Sequence, residues 1–242
     1  MSQPDPEIKY KRVLLKLSGE AISGEGGFGI ERDPLRDIAR QCVEVTKAGA
    51  ELAIVVGGGN LIRGATFARD GFPRATADYI GMLGTVMNAL ALQETMENLG
   101  QPTRVMSAIS ISRVCEPFIR RKAVRHLQKG RAVIMAAGTG NPFFTTDTCA
   151  ALRAAEIEAD VLLKATKVDG IYTADPKVDP AATRYDTLTY HEAIDKRLKV
   201  MDTAAFAMCE ENKMNVILFD MNESGNVLRA VRGDDIGTTV TP

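Results

Sequence analysis

Short apolar runs of strand length alternate with stretches of helical period along nearly the whole chain, and that alternation leaves few architectures open. The apolar runs are RVLLKLS (12–18), ELAIVVG (51–57), TRVMSA (103–108), RAVIMAAG (131–138), DVLLKAT (160–166) and NVILFDM (215–221). Helical stretches fall at 33–49, 76–100, 117–130, 145–159, 201–213 and 224–233, with a terminal run GTTVT at 237–241. Strands separated by helices cannot pair as hairpins. They predict an α/β fold: a mostly parallel central sheet sandwiched by helices in three layers.

Local signals mark the ends of these segments. Asp33 is expected to cap the first helix, with Pro34 in its first turn and Gly49 at its stop. Gly100 ends the second helix, and Thr145 or Thr146 caps the one at 145–159. The stretch 168–190 is rich in Asp, Pro and Thr and lacks a clear period, so it reads as an elaborated loop. With neither an internal repeat nor a low-complexity linker, residues 1–242 read as a single domain. The helix at 76–100 is apolar around its circumference, through Ile80, Met82, Leu83, Val86, Met87, Leu90 and Leu92. Such a helix is either internal to the core or covered on its second face at a subunit interface, and the residues alone leave both open.

Composition narrows the function classes. In 242 residues, 30 Lys and Arg face 31 Asp and Glu, a net charge of −1, so charge gives no support to nucleic-acid binding. Cys42, Cys115, Cys149 and Cys209 are scattered and form no C-x-x-C pair, which argues for reduced thiols over a zinc site or disulfide framework. No apolar run reaches the roughly 18 residues of a membrane span, and MSQPDPEIKYKR lacks the apolar core of a signal peptide. A cytoplasmic protein with no membrane partner is expected. His126 and His191 have no nucleophile motif nearby and read as surface or capping residues, which sets aside a Ser-His-Asp hydrolase. The basic run Arg120, Arg121, Lys122, Arg125 and Lys129 reads as a solvated helix face or, alternatively, as a contact for an anionic effector.

The chemistry therefore falls to loops at strand ends, where parallel sheets bind ligands. In LKLSGE, Lys16 sits inside an apolar strand, costly unless it serves a ligand or snorkels to water. After the second strand, Gly57, Gly58 and Gly59 favour close approach of a ligand over a simple turn, and Arg63 adds a fork suited to phosphate. No Lys-Ser/Thr follows, so this is not a P-loop. In AAGTGNPFFTTD (136–147), Asp147 falls in a helix first turn, where the dipole alone would favour a carboxylate. Its two aromatics suggest that one packs inward while the other shapes a pocket. In KATKVDGIYTADP (164–176), Asp169-Gly170 reads as a turn, and turn chemistry alone would explain most of the segment; the alternative is that Tyr172 and Asp175 meet a base and a ribose. GEGGFG (24–29) matches G-x-G-x-x-G but neither follows a strand at once nor opens a helix, so it reads as a mobile glycine loop rather than a nicotinamide site.

Taken in order, LLKLSGE, VVGGGNLIRG, GTGNPFFTTDT, KATKVDGIYTADP and LKVMD resemble bacterial-type uridylate (UMP) kinase, of the amino acid kinase superfamily, from about Tyr10 to Thr241. The resemblance implies an enzyme making UDP from UMP with ATP and magnesium, the ion riding mainly on the ATP phosphates with no protein metal site. It implies an acceptor half at about 10–160 and an ATP half at about 161–242. Lys16, Leu17, Ser18, Gly19, Gly59 and Arg63 would then meet the ATP phosphates, with Thr166, Tyr172 and Asp175 on the adenosine side. Gly58 would lie at the acceptor phosphate, Asp78 would hold the UMP ribose, and Thr139, Gly140, Asn141, Pro142, Phe143, Phe144, Thr145 and Thr146 would wrap uracil and phosphate. Lys16, Arg63, Asp147 and Asp202 would organise the reaction centre.

The resemblance also implies a homohexamer activated by GTP and inhibited by UTP. Gly24, Glu25, Gly26, Gly27, Phe28 and Gly29 would belong to the GTP response, with Arg104 and Arg131 as contacts. Gln93 and Glu97 depart from the pattern, standing where cationic or imidazole groups are expected. Rival readings are an acetylglutamate or carbamate kinase, against which GTGNPFFTTD and Asp78 argue, and a non-catalytic nucleotide sensor, against which Lys16 and Asp147 argue.

Overall fold

The computed structural model describes residues 8–24, 27–62, 71–174, 176, 178–198 and 200–242. Among the described residues nine strands form one sheet: β1 (Arg12–Leu17), β2 (Glu51–Val56), β3 (Thr103–Ser107), β4 (Glu116–Pro117), β5 (Ala132–Ala136), β6 (Val161–Thr166), β7 (Thr187–Thr189), β8 (Asn215–Asp220) and β9 (Thr238–Thr241). Their order is β4-β3-β5-β2-β1-β6-β8-β9-β7, and among the described residues every strand pair is parallel except β8–β9.

The helices are α1 (Arg32–Lys47), α2 (Arg74–Asn98), α3 (Arg120–Gln128), α4 (Thr146–Glu156), α5 (Tyr190–Asp195), α6 (Thr203–Glu211) and α7 (Asn226–Arg232). Central strands are apolar on both faces because both are covered. Val13, Leu15 and Leu17 of β1 join Ile38 of α1, Leu92 of α2 and Val231 of α7 in one core. Leu14 points the other way, with Leu127 of α3, Cys149 of α4 and Phe206 of α6. The expected three-layer α/β architecture is the one formed.

Several local expectations are corrected. α1 begins earlier than expected, with Glu31 at its cap and Asp33 inside the first turn. Pro34 is compatible with this start because the first turn's amides have no intrahelical partner to lose. The stretch 168–190 is not loop throughout, since β7 pairs with β9 and Thr189 caps α5 through a reciprocal bond with Glu192. For α2 both readings stand open in the sequence, and in the protomer Tyr79, Leu83 and Met87 form an exposed row on one face, so burial within the protomer is incomplete.

The connection from β1 runs through α1 to β2 on one side, while that from β6 leads to β8 on the other. Diverging connections leave a crevice at the carboxyl ends of β1 and β6, where open α/β sheets bind ligands.

Candidate functional site

That crevice is lined by two lysines in strand register. Lys16 of β1 is aligned with Lys164 of β6, and both converge on Asp147 in the first turn of α4. Lys164 Nζ donates to Asp147 Oδ2 at 2.6 Å and to the Val200 carbonyl at 2.6 Å. Lys16 Nζ lies 2.9 Å from Asp147 Oδ1, an ion pair. The side chains are only 13–17% exposed, so Lys16 does not snorkel and Asp147 does more than complement a helix dipole. Burial pushes the Asp147 carboxyl up, but the two ammonium groups outweigh it and hold it below its ordinary range. Burial also pulls Lys164 below the usual lysine range, and Asp147 offsets only part of that.

Lys164 was not singled out from the sequence. The signal was there: it is a lysine in an apolar strand, like Lys16.

Asp202 has a different task. It caps α6 through the Ala205 amide at 3.0 Å, and accepts from Thr148 Oγ1 at 2.9 and 3.0 Å and from Thr145 Oγ1. Its oxygens tie the start of α6 to the start of α4 and, among the described residues, pair with no cation directly, although its charge reaches Lys164. Thr145 caps α4, accepting from the amides of Asp147 and Thr148, and so fixes where Asp147 stands.

The glycine triplet is explained mostly by chain meeting chain. A Cβ at Gly58 would sit 2.6 Å from the Gly81 carbonyl of α2, and one at Gly57 would sit 3.1 Å from the Gly19 amide. Gly19 is equally enclosed, its Cβ position lying 2.4 Å from Asn60 Oδ1 and 2.8 Å from the Gly57 carbonyl. Gly59 alone of the triplet opens onto space, with no described atom within 4 Å. Packing of chain against chain thus accounts for Gly57 and Gly58 and leaves only Gly59 of the triplet open. Asn60 and Asn88, both buried, exchange amide bonds of 3.1 and 2.7 Å; Asn88 also donates to the Gly57 carbonyl at 2.7 Å. Asn60 binds Gly29 through both backbone and side chain, so the glycine loop expected to be mobile is anchored at that end.

Beside the triplet lies a cavity of about 260 Å³ lined by Gly58, Gly59, Asp78, Thr139, Asn141, Phe144, Thr145 and Thr146, among others. Its loop wall holds Ala137, Gly138, Gly140 and Phe143 at positive φ of 62, 57, 82 and 74°. Left-handed non-glycine residues cost roughly 1–2 kcal/mol each and persist where neighbours fix them. Three side chains do so here. Thr85 Oγ1 accepts from the Ala137 amide at 2.7 Å, Arg153 Nη2 donates to the Gly138 carbonyl at 3.3 Å, and Asp78 Oδ2 accepts from the Phe143 amide at 2.7 Å. Arg153 is 5% exposed, paired with Glu156 at 2.5 Å and stacked 3.9 Å from the Phe118 ring centre. Thr85, Asn88 and Arg153 escaped the sequence reading; a polar residue on a buried helix stripe was the available signal for the last two. Neither aromatic of NPFF packs inward as expected, since Phe143 and Phe144 are both exposed, and only Phe144 lines the cavity. Pro142 lies in the same loop, outside the cavity lining.

The lysines themselves belong to a second, larger cleft of about 900 Å³, lined by Lys16, Ser18, Gly24, Gln41, Lys164, Thr166, Met221 and Asn222, among others. Leu17 is buried behind it and receives the Gly57 amide at its carbonyl, 2.9 Å away. Tyr172 does not line this cleft; its hydroxyl binds Asp169 at 2.9 and 3.1 Å, and its strand bridge is to Arg184. Arg104 pairs with Glu97 at 3.0 Å, and Arg131 Nη1 meets Nδ1 of a half-buried His126 at 3.1 Å. Phe28 is exposed. Arg63, Asp175, Glu25 and Gly26 lie outside the described residues.

Two enclosed cations thus line the larger cleft, while Gly58, Gly59 and the N-terminus of α4 line the smaller cavity, a layout that can draw anionic phosphates and neutralise a transferred group. The amino acid kinase family matches residues 11–220 of the chain. A uridylate kinase from Methylococcus capsulatus is 57% identical over 232 residues, 96% of this chain and 97% of that protein. The crystal structure of UMP kinase from Bacillus anthracis superposes with a TM-score of 0.93 at 38% identity, covering 96% of each chain. That of UMP kinase from Ureaplasma parvum gives 0.92 at 33% identity, covering 97% of this chain and 100% of that one.

Proposed function

The chain belongs to the amino acid kinase family, alongside the bacterial uridylate kinases, and from that premise we propose that it transfers the γ-phosphoryl group of ATP to UMP, giving UDP and ADP. The observation that carries this reading is the pair of registered lysines on one carboxylate, at the wall of the large cleft. ATP enters the cleft and UMP the cavity. An oxygen of the UMP phosphate, already largely ionised at neutral pH because its second pKa lies near 6, attacks the γ-phosphorus, and the bond to the β–γ bridging oxygen breaks. No general base is needed. Lys16 and Lys164 draw the phosphates and absorb the negative charge spread in the transition state, while Asp147 fixes the spacing of the two ammonium groups and Asp202 fixes α4.

Magnesium is part of this proposal as the partner of the ATP phosphates, where it supplies further positive charge. Among the described residues no three His, Cys, Asp or Glu side chains are grouped to hold an ion, and Asp147 and Asp202 are engaged with lysines, hydroxyls and an amide, which suits an ion carried by the nucleotide. We also infer a homohexamer in the cytoplasm, activated by GTP and inhibited by UTP. The exposed apolar row on α2 supports burial of that face against another copy. An anionic effector reaching Arg104 would compete with Glu97. No helix among the described residues is long and apolar enough to cross a membrane.

The test is release of ADP from ATP with UMP, CMP, AMP, carbamate or acetylglutamate as acceptor. UMP is expected to be used far better than the others. Equal turnover of the nucleotides, or preference for carbamate or acetylglutamate, overturns the reading, and nucleotide binding without turnover of any acceptor leaves a sensor.

A further inference from the structure

Asp78 already has partners. Arg74 Nε lies 2.8 Å from Asp78 Oδ1 and 2.9 Å from Oδ2, so one N–H straddles both carboxylate oxygens. The Phe143 amide donates to Oδ2 at 2.7 Å, tying the carboxylate to the acceptor loop. The side chain of Asp78 is 13% exposed and that of Arg74 52%, so the carboxylate is enclosed while the guanidinium stands at the rim.

Helix stability does not account for this pair. Arg74 is the first residue of α2, where the helix dipole disfavours a cation. A cation four residues before an anion is also the weaker orientation of an i, i+4 pair. The pairing makes sense as an adjustment of Asp78 itself. A carboxylate that lines a cavity meant for a phosphate-bearing ligand is repelled by the ligand's charge, and left alone it would turn away. The straddling guanidinium offsets that repulsion and fixes the carboxylate plane, with a lone pair left for a ligand hydroxyl.

We propose that Arg74 is a positioning residue for the acceptor, holding the Asp78 carboxylate in the orientation that receives the ribose hydroxyls of UMP. The inference rests on the reading of Asp78 as the ribose ligand. It predicts that Arg74 acts on the sugar and not on the phosphoryl transfer, and that it acts only through Asp78.

The test uses the full-length enzyme with Arg74→Met, Arg74→Lys, Asp78→Asn and the double variant Arg74→Met/Asp78→Asn, comparing UMP with 2′-deoxy-UMP. Arg74→Met is expected to raise KM for UMP about tenfold while leaving kcat and KM for ATP nearly unchanged, and to narrow the preference for UMP over its deoxy analogue. Arg74→Lys is expected to regain part of the loss, and the double variant to be little worse than Asp78→Asn alone. An unchanged or lowered KM in Arg74→Met, an equal loss with both nucleotides, or additive effects in the double variant overturns the inference. A normal UMP dependence in Asp78→Asn would overturn the ribose role as well, whereas a defect in Asp78→Asn beside a normal Arg74→Met overturns the Arg74 inference alone.

Discussion

Replacing Lys164 by Met keeps the length of the stem and removes only its charged end, which makes it the sharpest probe of the cation pair. The substitution deletes two bonds of 2.6 Å, one to Asp147 and one to the Val200 carbonyl. Two effects on stability oppose each other. A charge-assisted hydrogen bond contributes about 1.5–3 kcal/mol, but the ammonium is held at a desolvation cost, shown by its lowered pKa. Asp147 also keeps Lys16 at 2.9 Å, so it is not left an isolated buried charge. The net change in unfolding free energy should therefore stay within about 2 kcal/mol.

Catalysis has no such offset. Removing one preorganised donor from the site of transfer costs about 2.7–4 kcal/mol, hence roughly a hundred- to thousandfold in kcat. Thermal unfolding, steady-state ADP release and calorimetric UMP binding separate the two. A folded Lys164→Met protein with near-normal kcat would refute the assignment of Lys164 to the moving phosphoryl group; loss of UMP binding together with kcat would move Lys164 to the acceptor side.

The lowered pKa of Lys164 places the alkaline fall of kcat/KM below the ordinary lysine value of about 10.4, because the neutral amine no longer draws the phosphates. Between that lowered pKa and the ordinary one the unfolded chain binds more protons, so stability should rise with pH across that window even as activity falls. Asp147 gives the same slope on the acid side: its contribution is full above the ordinary carboxylate pKa and is lost as pH falls through its depressed value. A kcat/KM profile whose alkaline limb is unmoved in Lys164→Arg would count against assigning that limb to Lys164, and an unfolding free energy flat across the window would count against the stability statement. Gly58→Ala should destabilise by about 1–3 kcal/mol, because its Cβ meets α2 backbone at 2.6 Å, whereas Gly59→Ala should unfold normally and lose activity only. Equal melting temperatures for Gly58→Ala and Gly59→Ala would refute the packing account of the triplet.

The strand–helix alternation was enough to foresee the layered sheet, because a strand covered on both faces must be apolar on both. β4 and β7 were not legible, being two and three residues long and carrying no period. Lys16, Asp147 and the 138–146 loop stand out chemically in the sequence, as a charge in an apolar run, an acid in a first turn and an unusual polar loop. What stayed hidden were the supports. Thr85, Asn88 and Arg153 act on backbone groups 52, 31 and 15 residues away, and sequence spacing carries no trace of such contacts. The triplet misled because crowding between chain segments and crowding by a ligand both select glycine.

The register of Lys16 with Lys164 makes the sheet a ruler. Adjacent strands lie about 4.8 Å apart in every such sheet, so the interval between the two ammonium stems is set by main-chain hydrogen bonds and not by any loop. Insertion of one residue within β1 would turn Lys16 to the opposite face and abolish the pair outright. Changes in the loop at 138–146, by contrast, leave that interval untouched. A chain built this way can drift in what it accepts while the distance across which it transfers stays fixed.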